Sequence, residues 1–165
     1  MMTAQEFKRM CDAVEGYTAL GLIDEALNIL EDLPPNLKIT REVIALHMGI
    51  LLKSKDYLKA SYLAETLSMS EPENVGRMLD VARYRYMADE FKEALAWLVS
   101  VEKKCLSDAD FHYLSAQCHA VLGDLEQAIR SLQKVSVLSE ALRMRALDDP
   151  AFEAIYGDAP ISDKI

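Results

Sequence analysis

The chain has 165 residues, 18 of them basic and 27 acidic, with a formal net charge of −9 and a pI near 4.8. Such a surplus of carboxylates opposes general attraction to phosphate backbones and anionic lipid, which argues against nucleic acid and membrane surfaces as partners. With 51% hydrophobic residues, the length suits one globular domain spanning 1–165.

Local features point the same way. No run of Lys and Arg is longer than Lys103–Lys104, and the longest apolar run, 43–52, is too short for a bilayer and contains His47. The first ten residues, MMTAQEFKRM, lack the basic-then-apolar layout of a secretion signal, so a cytoplasmic protein is expected. Cys11, Cys105 and Cys118 are odd in number and form no Cys-x-x-Cys pair. That spacing fits neither a disulfide framework nor a structural zinc site.

The first helix begins at TAQE, residues 3–6, where the Thr3 hydroxyl and the Glu6 carboxylate can satisfy free backbone amides reciprocally. Its inward positions are Met10, Ala13, Val14 and Tyr17. A turn at Gly21 leads to a second helix with Ile23, Ala26, Leu30 and Leu33 along one face. The same sentence is then written three more times. Ile44, His47, Met48 and Leu51 precede a turn at Lys55 and a helix carrying Tyr57, Ala60, Ala64 and Leu67. Met78, Val81 and Ala82 precede Asp89 and the helix of Phe91, Ala94, Leu98 and Val101. Ser107 can cap a helix with His112, Ser115, Ala116 and His119 inward; Gly123 then leads to Leu125, Ala128, Leu132 and Val135. The alanines at 26, 60, 94 and 128 are 34 residues apart every time. A small residue at that place lets two antiparallel helices approach closely, and a bulky one would overpack the contact.

These residues resemble the tetratricopeptide repeat (TPR), a 34-residue helix-turn-helix unit with a small residue in the second helix, an aromatic three before it and a Gly in the turn. The resemblance covers about residues 7–140. It implies an all-α fold, a right-handed α-solenoid of about four units (7–40, 41–74, 75–108 and 109–138). Arg85 stands where the family commonly has Tyr, and of the family's repeat-end prolines only Pro72 falls in place.

After the fourth unit, residues 138–157 do not begin a fifth. A stacked array exposes apolar surface at its end unless something covers it. Residues 139–156 are therefore expected to form a cap: a helix over 139–147, then a short one opened by Pro150 with Phe152 and Ile155 on one face. ALDDPAFE also resembles the terminal segment of small bacterial repeat proteins of this type. Residues 157–165 read as a frayed tail.

No catalytic signature is present: there is no Gly-x-Ser-x-Gly, no phosphate-binding glycine loop and no His-Glu-x-x-His. An enzyme, a cofactor and a metal are not expected. His112 and His119 are seven apart beside Cys118, yet both fall at packing positions, as does His47, and further ligands are not supplied. Whether those three residues do more than pack is left open by the pattern. Acidic pairs at 24–25 and 148–149 read as solvated surface or as helix-start charges.

The resemblance implies a protein or peptide partner held in a concave groove lined by the first helices. Its exposed positions would be Lys8, Glu15, Glu42, Leu52, Lys53, Leu79, Arg83, Tyr86, Met87, Tyr113 and Gln117. Of these, Arg83, Tyr86, Met87, Tyr113, Gln117, Glu42 and Lys53 are the expected contacts, because Tyr and Arg commonly anchor interfaces. The competing reading is that the Tyr/Met stripe packs between units. Family members that clamp an acidic carboxy-terminal peptide use Lys and Asn where this chain has Cys11, Glu15, Ala45 and Gly49, so that function is not implied. The expected function is a noncatalytic interaction scaffold; the alternatives are a secretion-type chaperone for an apolar client segment, and a structural protein that self-associates as a homo-oligomer.

Overall fold

The computed structural model describes residues 2–157, so that, Gly157 aside, the tail expected at 157–165 lies outside the described residues. Among the described residues the protein is helix and turn, without strand. In chain order the helices are α1 (Ala4–Leu20), α2 (Ile23–Glu31), α3 (Pro35–Lys38), α4 (Arg41–Lys53), α5 (Tyr57–Ser70), α6 (Val75–Met87), α7 (Phe91–Cys105), α8 (Ala109–Val121), α9 (Leu125–Leu138) and α10 (Glu140–Leu147). A 3-10 turn, Pro150–Phe152, leads into α11 (Glu153–Tyr156). None of the described helices is long and apolar enough to cross a membrane.

The 34-residue period is written into the helix boundaries. The second helices α2, α5, α7 and α9 begin at 23, 57, 91 and 125, and α4, α6 and α8 begin at 41, 75 and 109. Between the helices of each hairpin the chain reverses at Gly21, Lys55, Asp89 or Gly123, which all have positive φ, at 78°, 61°, 61° and 84°. The four turns share one hydrogen-bond pattern. In each, the amide of the positive-φ residue donates three residues back, and the next amide donates five residues back, as in Leu22 N to Tyr17 O (2.9 Å), Asp56 N to Leu51 O (2.8 Å), Glu90 N to Arg85 O (2.9 Å) and Asp124 N to His119 O (2.9 Å). This is the Schellman arrangement, which satisfies carbonyls the helix end would otherwise leave free.

The residue after each such turn is already the N-cap of the second helix. Asp56 and Asp124 accept from the amides of Lys59 and Gln127 at 3.3 and 3.2 Å, whereas Leu22 and Glu90 make no side-chain cap. The first helices are capped on the same period: Thr40, Asn74 and Asp108 accept from Val43, Arg77 and Phe111. Thr3 and Glu6 form the expected capping box on α1. Ser107 was the sequence expectation for α8, but the cap is Asp108, whose carboxylate accepts from Phe111 N at 3.2 Å. A one-residue shift places Asp108 in register with Asn74 and Thr40, a register that Ser107 does not share.

The chain divides into two compact units, Met1–Pro72 and Glu73–Ile165. In the first, Val14, Ala26, Leu30, Leu33, Val43 and Ile50 form the core that joins the α1–α2 hairpin to α4. In the second, one cluster gathers Met78, Leu79, Ala82, Ala94, Leu98 and Phe111, and another joins Ala116, Ala128, Leu132 and Val135 to Ala146 and Phe152 of the carboxy-terminal segment. Ala26, Ala60, Ala94 and Ala128 are all completely buried. Trp97 fastens α7 to α6, its indole N–H donating to the Met78 carbonyl at 2.7 Å. Arg85 lies over the same indole ring, 5.5 Å from its centroid, so the residue found in place of Tyr contributes a cation–π contact.

The turns supply a test. A non-glycine residue in the left-handed region costs roughly 1–2 kcal/mol, and Asp tolerates it better than Lys. Lys55→Gly is expected to stabilise the protein by ~0.5–1 kcal/mol and Asp89→Gly by less, in urea unfolding. A loss of stability in Lys55→Gly would show that the turn does not carry the strain its φ implies.

Candidate functional site

On each first helix, two positions one turn apart repeat with the period: Cys11 and Glu15, Ala45 and Gly49, Leu79 and Arg83, Tyr113 and Gln117. Side chains four apart on a helix share a face. The two compact units use these equivalent positions in opposite ways.

In the second unit the carboxy-terminal segment covers the α8 pair. The Tyr113 hydroxyl donates to Asp149 Oδ2 at 2.6 Å, and the Gln117 amide donates to the same oxygen at 2.8 Å. Asp149 Oδ1 accepts from Ala151 N at 2.9 Å, so one carboxylate caps the 3-10 turn and docks it on α8. Phe152 packs edge-on to Tyr113 at 5.6 Å and is fully buried, and Arg145 of α10 lies over the Tyr113 ring, 5.4 Å from its centroid. Ser139 caps α10 by accepting from Leu142 N at 3.3 Å. The segment expected to be a cap is therefore one, with Ile155 half-buried and Tyr156 also packed inward.

This arrangement corrects several expectations of exposure. Tyr113 and Gln117, expected in an open groove, are only 3% and 9% exposed because Asp149, Phe152 and Arg145 of the segment after α9 lie against this face. Leu79 is buried in the core of its unit. Asp149, expected in solvent or at a helix start, performs the second role while half-buried. Tyr86 packs its ring edge-on to Phe91 at 5.2 Å, and burial, with the Asp149 charge behind it, pushes its hydroxyl up to about 12. Tyr113 is also raised, by burial first and then by its bond to Asp149. Arg83 is half-buried and pairs with Asp80 at 2.6 Å; burial outweighs Arg83 at that carboxyl and raises it. Met87 stays exposed at the end of α6, and Lys53 at the end of α4.

In the first unit the equivalent positions line an open cleft of about 670 Å³ between α1 and α4. Phe7, Cys11, Ala45, Leu46 and Gly49 give it an apolar floor, and Lys8, Glu15 and Glu42 stand at its rim. At the repeat positions its lining is Cys11, Ala45 and Gly49, all small, and a Cβ built on Gly49 would meet nothing within 4 Å. Burial raises the Cys11 thiol, and the charges of Asp12, Glu15 and Glu42 add to the rise. The thiol thus senses a negative field. Of the expected groove residues, Glu15, Glu42 and Lys8 are the ones brought together here, while Lys53 and Leu52 are not part of the lining.

The histidines and Cys118 are engaged separately. His112 is buried, its Nε2–H donating to the Leu106 carbonyl at 2.8 Å, and it meets the Phe111 ring edge-on at 5.1 Å. His119 Nδ1 lies 3.6 Å from the Asp124 carboxylate. Burial lowers His47, with Lys59 adding to the effect, and burial pushes the Cys118 thiol up to about 12. Among the described residues no group of three His, Cys, Asp or Glu side chains could hold a metal ion.

The periodic hairpins and their first-helix faces define an all-α, helix-repeat protein of the tetratricopeptide type. Residues 53–135, just over half of the 165-residue chain, match the family model described as Anaphase-promoting complex, cyclosome, subunit 3, a TPR-like repeat family, and the chain belongs to that family. The comparison with curated proteins returned no match. Families of this repeat type serve in general as noncatalytic scaffolds for protein–protein interaction.

Two tyrosines of the cap contact separate a working hydrogen bond from a merely buried one. Tyr113 donates to a carboxylate, a bond worth roughly 1.5–3 kcal/mol, whereas the buried Tyr156 hydroxyl has no partner among the described residues. Tyr113→Phe is expected to lose ~1.5 kcal/mol or more in urea unfolding at neutral pH, and Tyr156→Phe to be neutral or stabilising. Because the folded pKa of Tyr113 is raised, its contribution is whole below the unfolded tyrosine value of about 10 and is lost as pH rises above it. The alkaline fall in stability is therefore shallower in Tyr113→Phe than in the wild type. Equal stability of the two variants would remove the Asp149 contact as an anchor of the cap.

Proposed function

We propose that the protein is a noncatalytic interaction module that holds a segment of a partner protein against the first-helix face of its amino-terminal unit. The observation that carries this reading is the α1/α4 cleft, at the repeat positions where α8 accepts the chain's own carboxy-terminal segment. A repeat face that receives one segment within the molecule offers the same helical geometry to another where it stands open. Preformed helices on both sides leave little backbone ordering on the receptor side, so a few buried side chains of the partner suffice for binding. Lys8, Glu15 and Glu42 are the charged groups of the cleft's lining. Arg83 and Met87, which retain exposure on α6, and Lys53 are secondary candidates, while Tyr113 and Gln117 hold the unit's own cap and Tyr86 packs against Phe91. Membership of a TPR-like family supports a protein rather than a small molecule as the ligand.

A photo-crosslinking amino acid at Ala45, in the cleft, is compared in living cells with one at Met69 of α5, which is 75% exposed. A protein adduct from position 45 that is missing from position 69 is the expected result. No adduct from 45, or the same adducts from both, would move the binding surface elsewhere.

A further inference from the structure

The two occupancies of the repeat face differ in the chemistry they offer. On α8, Tyr113 and Gln117 are donors, and they receive the Asp149 carboxylate together with the Phe152 ring. At the equivalent positions of α1 and α4 stand Cys11, Glu15, Ala45 and Gly49. A donor has become a carboxylate at position 15, and bulky side chains have become small ones at 11, 45 and 49. Glu42 places a second carboxylate on the rim, against the single ammonium of Lys8. Among the described residues neither Glu15 nor Glu42 takes part in an ion pair or side-chain hydrogen bond, so both remain available to a ligand. The upward push that Asp12, Glu15 and Glu42 exert on the Cys11 thiol agrees with a negative field over the cleft.

We infer that the α1/α4 cleft takes a protein segment presenting a large apolar side chain beside a Lys or Arg. The apolar group fills the space over Cys11, Ala45, Leu46 and Gly49, and the cation lies between Glu15 and Glu42. The assignment inverts the cap, where an aromatic ring comes with an anion. Glycine in the middle of a helix costs roughly 1 kcal/mol relative to alanine, and at Gly49 no neighbouring atom requires the missing Cβ. The space it keeps open is space for the ligand. This inference rests on the reading of the cleft as a protein-binding site, and it adds the chemistry of what enters.

The test uses the full chain and two fluorescein-labelled synthetic peptides of equal length at physiological salt, one built from Leu and Lys, the other with every Lys replaced by Glu. Fluorescence anisotropy is read for the wild type and three variants. Gly49→Leu fills the cleft, Glu15→Gln/Glu42→Gln removes the rim charge, and Asp24→Asn/Glu25→Gln removes the same charge from the exposed surface of α2. Circular dichroism checks that each is folded. The Leu/Lys peptide is expected to bind the wild type and the α2 variant equally, roughly 3- to 10-fold more weakly the rim variant, and not detectably Gly49→Leu, while the Leu/Glu peptide does not bind. If both peptides bind alike and Gly49→Leu abolishes both, the cleft is a protein site and the cationic assignment is wrong. If the Leu/Lys peptide binds Gly49→Leu as well as the wild type, or the α2 variant loses as much as the rim variant, the attraction is diffuse and the assignment falls. Absence of binding by either peptide also overturns it, and the crosslinking from position 45 then judges the binding site independently.

Discussion

Each hairpin of this protein turns through one residue whose backbone lies in the left-handed region, and the position of that residue sets the geometry of everything after it. At Gly21, Lys55, Asp89 and Gly123 the same pair of backbone hydrogen bonds closes the first helix, and the following residue opens the second. A turn this short leaves no freedom in the distance between the two helices. The fully buried alanines at 26, 60, 94 and 128 all stand three residues after the first residue of the second helix, where a small side chain lets the paired helices pack closely. Two of the four turns are made by residues other than glycine.

The apolar face that a stacked repeat leaves open needs a cover, and after α9 the segment of α10, the 3-10 turn and α11 supplies it. Asp149 satisfies the turn it begins and also binds Tyr113 and Gln117, so one side chain both starts the 3-10 turn and covers a first-helix face. Eight residues of α8 are buried as a result of its neighbours and this cover, whereas Val14 alone is buried on the longer α1. This contrast is what supports the proposal that a partner is received on the amino-terminal unit. The same repeat positions are spent on the fold at α8 and left open in the cleft between α1 and α4.

Much of the scaffold was legible because its causes are local. Positive-φ turns, N-caps and the alanine period each depend on residues within a few positions of one another, and a period of 34 multiplies a weak local signal four times. The Ser107 expectation failed by one residue because hydroxyl and carboxylate caps look alike in isolation, and only the register with Thr40 and Asn74 separates them. The groove was less legible. Tyr113 and Gln117 have the residue types of an interface, and what covers them is a carboxylate 32 to 36 positions away, a pairing no helical period encodes. The cleft was missed for the opposite reason: Cys11, Ala45 and Gly49 mark it by lack of bulk, and small residues on a helix read equally well as close packing.

The claim on which the account turns is that α1 presents an open face and α8 an enclosed one. The chain's own cysteines report it, since Cys11 lines the cleft while Cys118 on α8 is fully buried, with Cys105 as a second buried reference. Native-state alkylation by iodoacetamide at mildly alkaline pH, followed by peptide mass spectrometry over time, measures all three in one sample. The account predicts modification of Cys11 while Cys118 and Cys105 stay protected until denaturant is added. Modification of Cys118 at the rate of Cys11 would contradict it, because α8 would then be as open as the face proposed to bind.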